Sequence, residues 1–430
     1  MYDKVDVVRC NSSAAAAKLP RRAMASSTCS ASRVSRSMSF DRLARVGRNY
    51  PISFAGPGTD HEGIDLSHQS EPLMTRLLSP FSLGRLPLPN RVLMAPMTRS
   101  RADDVGIVGP MTAAYYAQRA GAGLMISEGI WPEPMGKGYV RTPGLADSRH
   151  VAAWREVAQA AHRAGGRIVA QLMHAGRISD PSLLPEGAVP VAPSAIRPQG
   201  ATYTDEGMRP HVTPRALQRH EILSIVDNFG LAAKRAIEAG FDGVELHAGA
   251  GYLPMQFLAT GTNRREDDYG GSVERRVRFV VEALEAMTDA VGAERVGLKV
   301  TPDMIFNDLT DDDPLATYGT LMSAIRPLGL AFLEMAPGSG SVVTHARMRR
   351  LFGGAYFAGV GFDSASAQAL VRSGEADAVL FGKLFIANPD LPRRLALEAP
   401  LAQPDPATFY AGGARGYIDY PCLEPVCEAA

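Results

Sequence analysis

Phe241-Asp242-Gly243-Val244-Glu245-Leu246-His247-Ala248-Gly249-Ala250-Gly251-Tyr252 is the stretch whose reading decides the fold. It begins as an apolar run of strand length and passes straight into a glycine-rich loop bearing a histidine and a tyrosine. Parallel α/β barrels carry their reactive groups there, at the carboxyl end of a strand. Working outward, seven more runs of strand length join it: 91–97, 123–128, 167–173, 295–300, 330–335, 355–359 and 376–381. Helical periodicity fills the gaps. Residues 150–165 place Val151, Trp154, Val157, Ala158 and Ala161 on one face, with Ser148 as the expected cap. Residues 221–239 place Ile222, Ile225, Val226, Phe229, Ala233 and Ile237 on one face and stop at Gly240. Ser272 is placed to cap a helix bearing Val277, Val280, Val281, Leu284 and Met287. Strand and helix alternating in this way imply a parallel sheet with helices outside. Eight such units suit a closed α/β barrel, the (β/α)8 TIM barrel, better than an open doubly wound sheet, and no Gly-x-Gly-x-x-Gly turn follows an early strand.

The bulk properties narrow the function. Lys plus Arg and Asp plus Glu number 45 each in the 430 residues, so the net charge is zero. That balance argues against nucleic acid or an anionic membrane as the main partner. No apolar run reaches the length of a membrane span. The four cysteines, Cys10, Cys29, Cys422 and Cys427, lie near the ends, and none has the two-residue spacing of zinc or iron–sulfur ligands. A disulfide framework is not expected in so large a core, which suggests a reducing compartment.

Residues 1–72 form an extension, 73–421 the barrel and 422–430 a tail. Residues 7–40 hold six Lys or Arg, no Asp or Glu, and much Ser and Ala. That is the composition of an organellar transit peptide. A disordered tail on a cytoplasmic protein, or a start at Met38 or Met74, fits it as well. Two connections, 173–220 and 258–272, are too long for plain turns and should cap the carboxyl face.

From residue 73 to 421, about four-fifths of the chain, the sequence resembles the Old Yellow Enzyme family of flavin-dependent ene reductases. The resemblance rests on separate motifs: Ala95-Pro96-Met97-Thr98-Arg99-Ser100-Arg101, Gly123-Leu124-Met125-Ile126-Ser127-Glu128-Gly129, Gln171-Leu172-Met173-His174-Ala175-Gly176-Arg177, the opening stretch itself, Asn263 to Ser272, and Phe381-Gly382-Lys383. It implies non-covalent FMN, reduced by NADPH or NADH, and a small activated alkene as substrate, in a monomer or homodimer that needs no metal.

The resemblance also assigns roles. Pro96 and Met97 would pack on the flavin ring, Thr98 would hydrogen-bond it near O4 and N5, and Gln171 would serve its pyrimidine edge. Gly129 belongs to the same rim. Lys299, where the family usually has arginine, would meet the charge at N1 and O2. Gly361, Gly382 and Lys383 would hold the phosphate, with Val360 crowding it. His247 would polarise the substrate oxygen and Tyr252 would donate a proton. Met173, where many members have tryptophan, and Tyr410 would shape the substrate pocket. Ala250 replaces the second hydrogen-bonding residue of the family, and His211, His174 and Tyr203 are conceivable stand-ins. Arg265, Asp268 and Asn263 would lock their loop by ion pairing and hydrogen bonding. A longer relative resembling 2,4-dienoyl-CoA reductase, and a flavin-binding protein of low turnover, are the alternatives.

Overall fold

The computed structural model describes residues 76–336, 342–359 and 361–423. The extension 1–72, Val360 and the tail beyond Leu423 lie outside them. Each of the eight expected strands forms: β1 Val92–Met94, β2 Met125–Ile126, β3 Ile168–Leu172, β4 Gly243–Ala248, β5 Val296–Val300, β6 Phe332–Met335, β7 Ala355–Ala358 and β8 Ala378–Phe381. All pairings between them are parallel, and β8 closes on β1 to complete the barrel.

The strands read as unbroken apolar runs because both faces are covered, by helices outside and by packed side chains inside. The interior changes character along its axis. Toward the amino end it is apolar: Leu93, Leu124, Val169, Phe332, Phe357 and Leu380 form one cluster. The Phe332 and Phe357 rings stack at 4.8 Å. Gly297 makes room for them, since a Cβ there would lie 2.2 Å from the Phe332 ring. A short hairpin, Phe81–Leu83 with Leu86–Leu88, buries Leu83 and Leu88 in the same cluster and plugs that end. Toward the carboxyl end the interior turns polar, with Gln171, Glu245, Lys299 and Glu334 on neighbouring strands.

The helices keep their expected faces, but one cap moves. The helix Ser148–Arg163 is capped by Asp147, whose carboxylate accepts from the N–H of Arg149 and His150. Ser148 is already inside the first turn, where a carboxylate one residue earlier outcompetes its hydroxyl. The helix Arg219–Glu238 begins with a reciprocal Gln218–Glu221 capping box, and Arg215 grips Glu221 through both carboxylate oxygens at 2.7 and 2.8 Å. This pairing first, and burial second in the opposite sense, leave the Glu221 carboxyl lowered to about 2.

The long connections are pinned. Asn263 Nδ2 donates to the carbonyls of Phe257 and Tyr269, both at 2.7 Å. Arg265 donates to the carbonyls of Pro193 and Leu217 and pairs with Asp267 at 2.5 Å. The ion pair of this loop is therefore with Asp267, two residues from Arg265 and within its reach, while Asp268 turns to Arg219. One further expectation is corrected: Cys422 is disulfide-bonded, so the chain is not free of disulfides. The other three cysteines lie outside the described residues.

Candidate active site

Strand β4 delivers His247 to the carboxyl rim, level with Lys299 on β5. The imidazole is 6% exposed. Its Nδ1 accepts the N–H of Gly249 at 3.3 Å, so the lone pair is at Nδ1 and the ring proton is assigned to Nε2. Burial first, and the Lys299 cation second, hold its pKa well below the ordinary histidine range. The side chain is therefore a neutral imidazole with one N–H donor to offer.

Tyr252 stands at the N-cap of the short helix Leu253–Leu258. Its ring lies 5.0 Å from the His247 ring, edge to face, so the two side chains belong to one site. Its hydroxyl is 3.1 Å from the hydroxyl of Tyr139. Burial, and then Tyr139, push the Tyr252 phenol well above its ordinary pKa of about 10, so it keeps its proton near neutrality.

Two residues that the motifs did not single out complete this corner. Tyr139 is hydrogen-bonded to Tyr252, and burial raises its pKa. Asn307 Nδ2 donates to the Ala250 carbonyl at 2.8 Å. Tyr139 is 113 positions from Tyr252 and Asn307 is 57 from Ala250, so only the closed barrel brings them together. Ala250 itself has φ +51°, and its N–H donates to Thr301 Oγ1 at 2.8 Å. Met173 packs with Tyr252, Ala250 and Tyr139 in a small apolar cluster, and its sulfur fills the space beside Gly129, where a Cβ would lie 2.7 Å away.

Of the suggested stand-ins for the missing donor, His174 has both ring nitrogens engaged. His174 Nδ1 accepts from the Gly176 N–H, and Nε2 pairs with Glu133 at 3.2 Å. Tyr203 is half exposed on a surface hairpin. His211 is buried, and desolvation lowers its pKa.

Lys299 also has a partner within the protein. Its Nζ lies 2.6 Å from Glu334 Oε1, inside the barrel. Glu334 faces Glu245, and Glu245 Oε1 accepts from Gln171 Nε2 at 2.7 Å. Burial first, and the Glu334 charge second, push the Glu245 carboxyl well above its usual range, against the opposing pull of Lys299. Beyond the Lys299 contact and the facing carboxyls, no donor reaches Glu334 or Glu245 Oε2 among the described residues. A buried lysine still requires a counter-charge; here the protein supplies one.

The remaining rim residues gather by strand order. Pro96, Met97 and Thr98 are partly exposed beyond β1. Arg99 and Arg101, in the same motif, donate to carbonyls of residues 408–416, including Phe409, Gly416 and Thr408. They thereby hold the segment bearing half-exposed Tyr410. Gly361, with φ +108°, follows β7, and Gly382 with exposed Lys383 follows the adjacent β8.

The sequence matches the NADH:flavin oxidoreductase / NADH oxidase family over residues 76–401. It is 41% identical over 357 residues to a probable flavin mononucleotide-dependent alkene reductase of Leishmania infantum, covering 81% of this chain and 97% of that protein. It is 39% identical over 363 residues to 12-oxophytodienoate reductase 1 of Oryza sativa subsp. japonica, covering 82% and 94%. Among solved structures, morphinone reductase in complex with tetrahydroNAD superposes with a TM-score of 0.79 at 46% identity, covering 82% of this chain and 98% of that one.

Proposed function

The chain belongs to the NADH:flavin oxidoreductase / NADH oxidase family, the Old Yellow Enzymes, and from that membership we propose that it is an FMN-dependent reductase of activated alkenes, α,β-unsaturated carbonyl or nitro compounds, recharged by NADPH or NADH. It is an FMN-dependent oxidoreductase by kinship. The finer assignment rests on its own residues. An isoalloxazine ring asks for a donor near O4 and N5, a donor–acceptor at its pyrimidine edge and a cation near N1 and O2. Thr98, Gln171 and Lys299, at the ends of β1, β3 and β5, have those three chemistries, so the donor set fits FMN. Pro96 and Met97 suit an apolar floor. Gly361, Gly382 and Lys383 suit a phosphate, the first two by leaving backbone N–H groups open to approach. When bound, the cofactor supplies the hydride.

The substrate oxygen would accept from His247 Nε2–H. Because the ring is neutral, its donor strength is matched to an oxygen that gains charge only as the reaction proceeds. Tyr252 would give its proton to the carbon α to the activating group, acting as general acid. Tyr139 behind it holds that phenol in place. Met173 and Tyr410 would line the alkene's side of the pocket.

One observation carries the reading: a histidine whose tautomer is set by the Gly249 N–H, packed against a tyrosine kept protonated by burial. Anaerobic titration tests it. The purified protein should be yellow, NADPH or NADH should bleach it, and cyclohexenone should restore the colour. Bleaching without restoration by any activated alkene would leave a flavin-binding protein of low turnover, the outcome that Ala250 would favour.

A further inference from the structure

The polar upper layer of the barrel holds a charge arrangement that the reaction above does not use. Lys299, Glu334 and Glu245 are all buried, on three consecutive strands. The Lys299–Glu334 pair is close, at 2.6 Å, and Glu334 is fully enclosed. Glu245 lies against Glu334 on one side and Gln171 on the other. Two carboxyls and one ammonium share this space, and like charges so close cannot both ionise. A protonated Glu245 beside the Lys299–Glu334 pair brings the layer to neutrality. The buried pKa of Glu245, raised by desolvation and by Glu334, agrees with that assignment.

We infer that Glu334 is a positioning residue which, by pairing with Lys299 from beneath, withholds part of the lysine's charge from bound FMN and lowers its reduction potential. The inference rests on the reading of Lys299 as the cation at the N1–O2 edge. Reduction by NAD(P)H transfers one hydride, two electrons with a proton, to FMN and releases NAD(P)⁺; the added negative charge lies at that edge. A free ammonium would favour the reduced form. An ammonium already bound to Glu334 must share itself between two anions, so its preference for the reduced form shrinks.

The size follows from the separation of charges. A full opposite charge within about 4–6 Å shifts an ionisation by about 1–3 units, so exposing the whole charge of Lys299 should favour reduced over oxidised FMN by about tenfold or more. For a two-electron couple, tenfold is about 30 mV.

The test is the midpoint potential of the FMN-loaded protein, by anaerobic dye equilibration, in native protein, Glu334→Gln, Lys299→Met and the double variant. Glu334→Gln should raise the potential by about 30 mV or more, and the rise should vanish when Lys299 is also replaced. A Glu334→Gln potential equal to native, with Lys299→Met shifted, would overturn the inference and leave Lys299 at the flavin. A rise that persists without Lys299 would overturn it as well, because Glu334 would then act directly. No shift in Lys299→Met would remove the placement of Lys299 and the inference together. Should the amide prevent folding, Glu334→Asp keeps a counter-charge for the buried lysine but draws it back by one methylene, and the same comparison then expects a smaller rise that again vanishes when Lys299 is replaced.

Discussion

Ala250→Asn probes the site where the chain departs most plainly from its kin. The backbone at Ala250 has φ +51°, a conformation that L-residues other than asparagine, aspartate and glycine adopt at a cost. It is held from both sides: its N–H donates to Thr301 Oγ1, and its carbonyl accepts from Asn307 Nδ2, each at 2.8 Å. Asparagine placed there inherits a fixed backbone and suits its φ, so thermal stability should hold or rise slightly. Its amide would add a second donor beside His247 for the substrate oxygen. Removing one donor of this kind elsewhere costs about 2.7–4 kcal/mol, or about 10²–10³ in rate. Gaining one should approach the lower end of that range, because Asn307 already crowds the corner. The assay is anaerobic stopped-flow reoxidation of the NADPH-reduced protein by cyclohexenone, with the rate of reduction by NADPH as control. A reoxidation rate raised tens of times or more, with stability preserved, is expected. An unchanged or slower rate in a stable variant would refute the idea that Ala250 leaves a donor missing.

Asn307→Ala removes the brace on the Ala250 carbonyl, so reoxidation should slow by about fivefold, the worth of one hydrogen bond of about 1 kcal/mol; an unchanged rate by the same stopped-flow assay would count against Asn307 as the support of that loop. Glu128, buried beneath the Arg99 N–H, has its carboxyl pushed up to about 7, chiefly by desolvation. The folded state therefore keeps a proton that the unfolded chain has already lost, and this group's contribution to stability falls as pH rises from about 4.5 to about 7. Glu128→Gln should remove that fall, so its melting temperature should gain on the native value across this window; a gap independent of pH would contradict it. Gly359→Ala would put a Cβ 2.6 Å from the Ala336 Cα, a backbone atom that cannot swing aside. Overpacking there should cost about 1–3 kcal/mol in chemical denaturation, and unchanged stability would contradict the close approach of β6 and β7.

The barrel was legible because its strands, covered on both faces, are continuous apolar runs that stand out from the amphipathic helices between them. His247 and Tyr252 were legible because a strand running into glycines marks a carboxyl rim. Near neighbours were harder. Asp147 and Ser148 are both good caps one residue apart, and only backbone geometry shows which side chain reaches the free N–H groups. Asp267 and Asp268 pose the same ambiguity beside Arg265. Glu334 does leave a signal: an acid inside the apolar run 330–335 must be either exposed or paired, and Lys299 one strand earlier is its natural partner. Tyr139 and Asn307 left none, since each lies in a loop whose approach to the site is set by long-range closure.

The chemistry assigned to Tyr252 is tested most directly by single-turnover kinetics of Tyr252→Phe, loaded with FMN. The variant keeps the ring against His247 and loses only the hydroxyl. Reduction by NADPH should proceed at the native rate, while reoxidation by cyclohexenone should slow by about 10²–10⁴, the usual worth of a positioned general acid. Native reoxidation by the phenylalanine variant would contradict the tyrosine's role as proton donor.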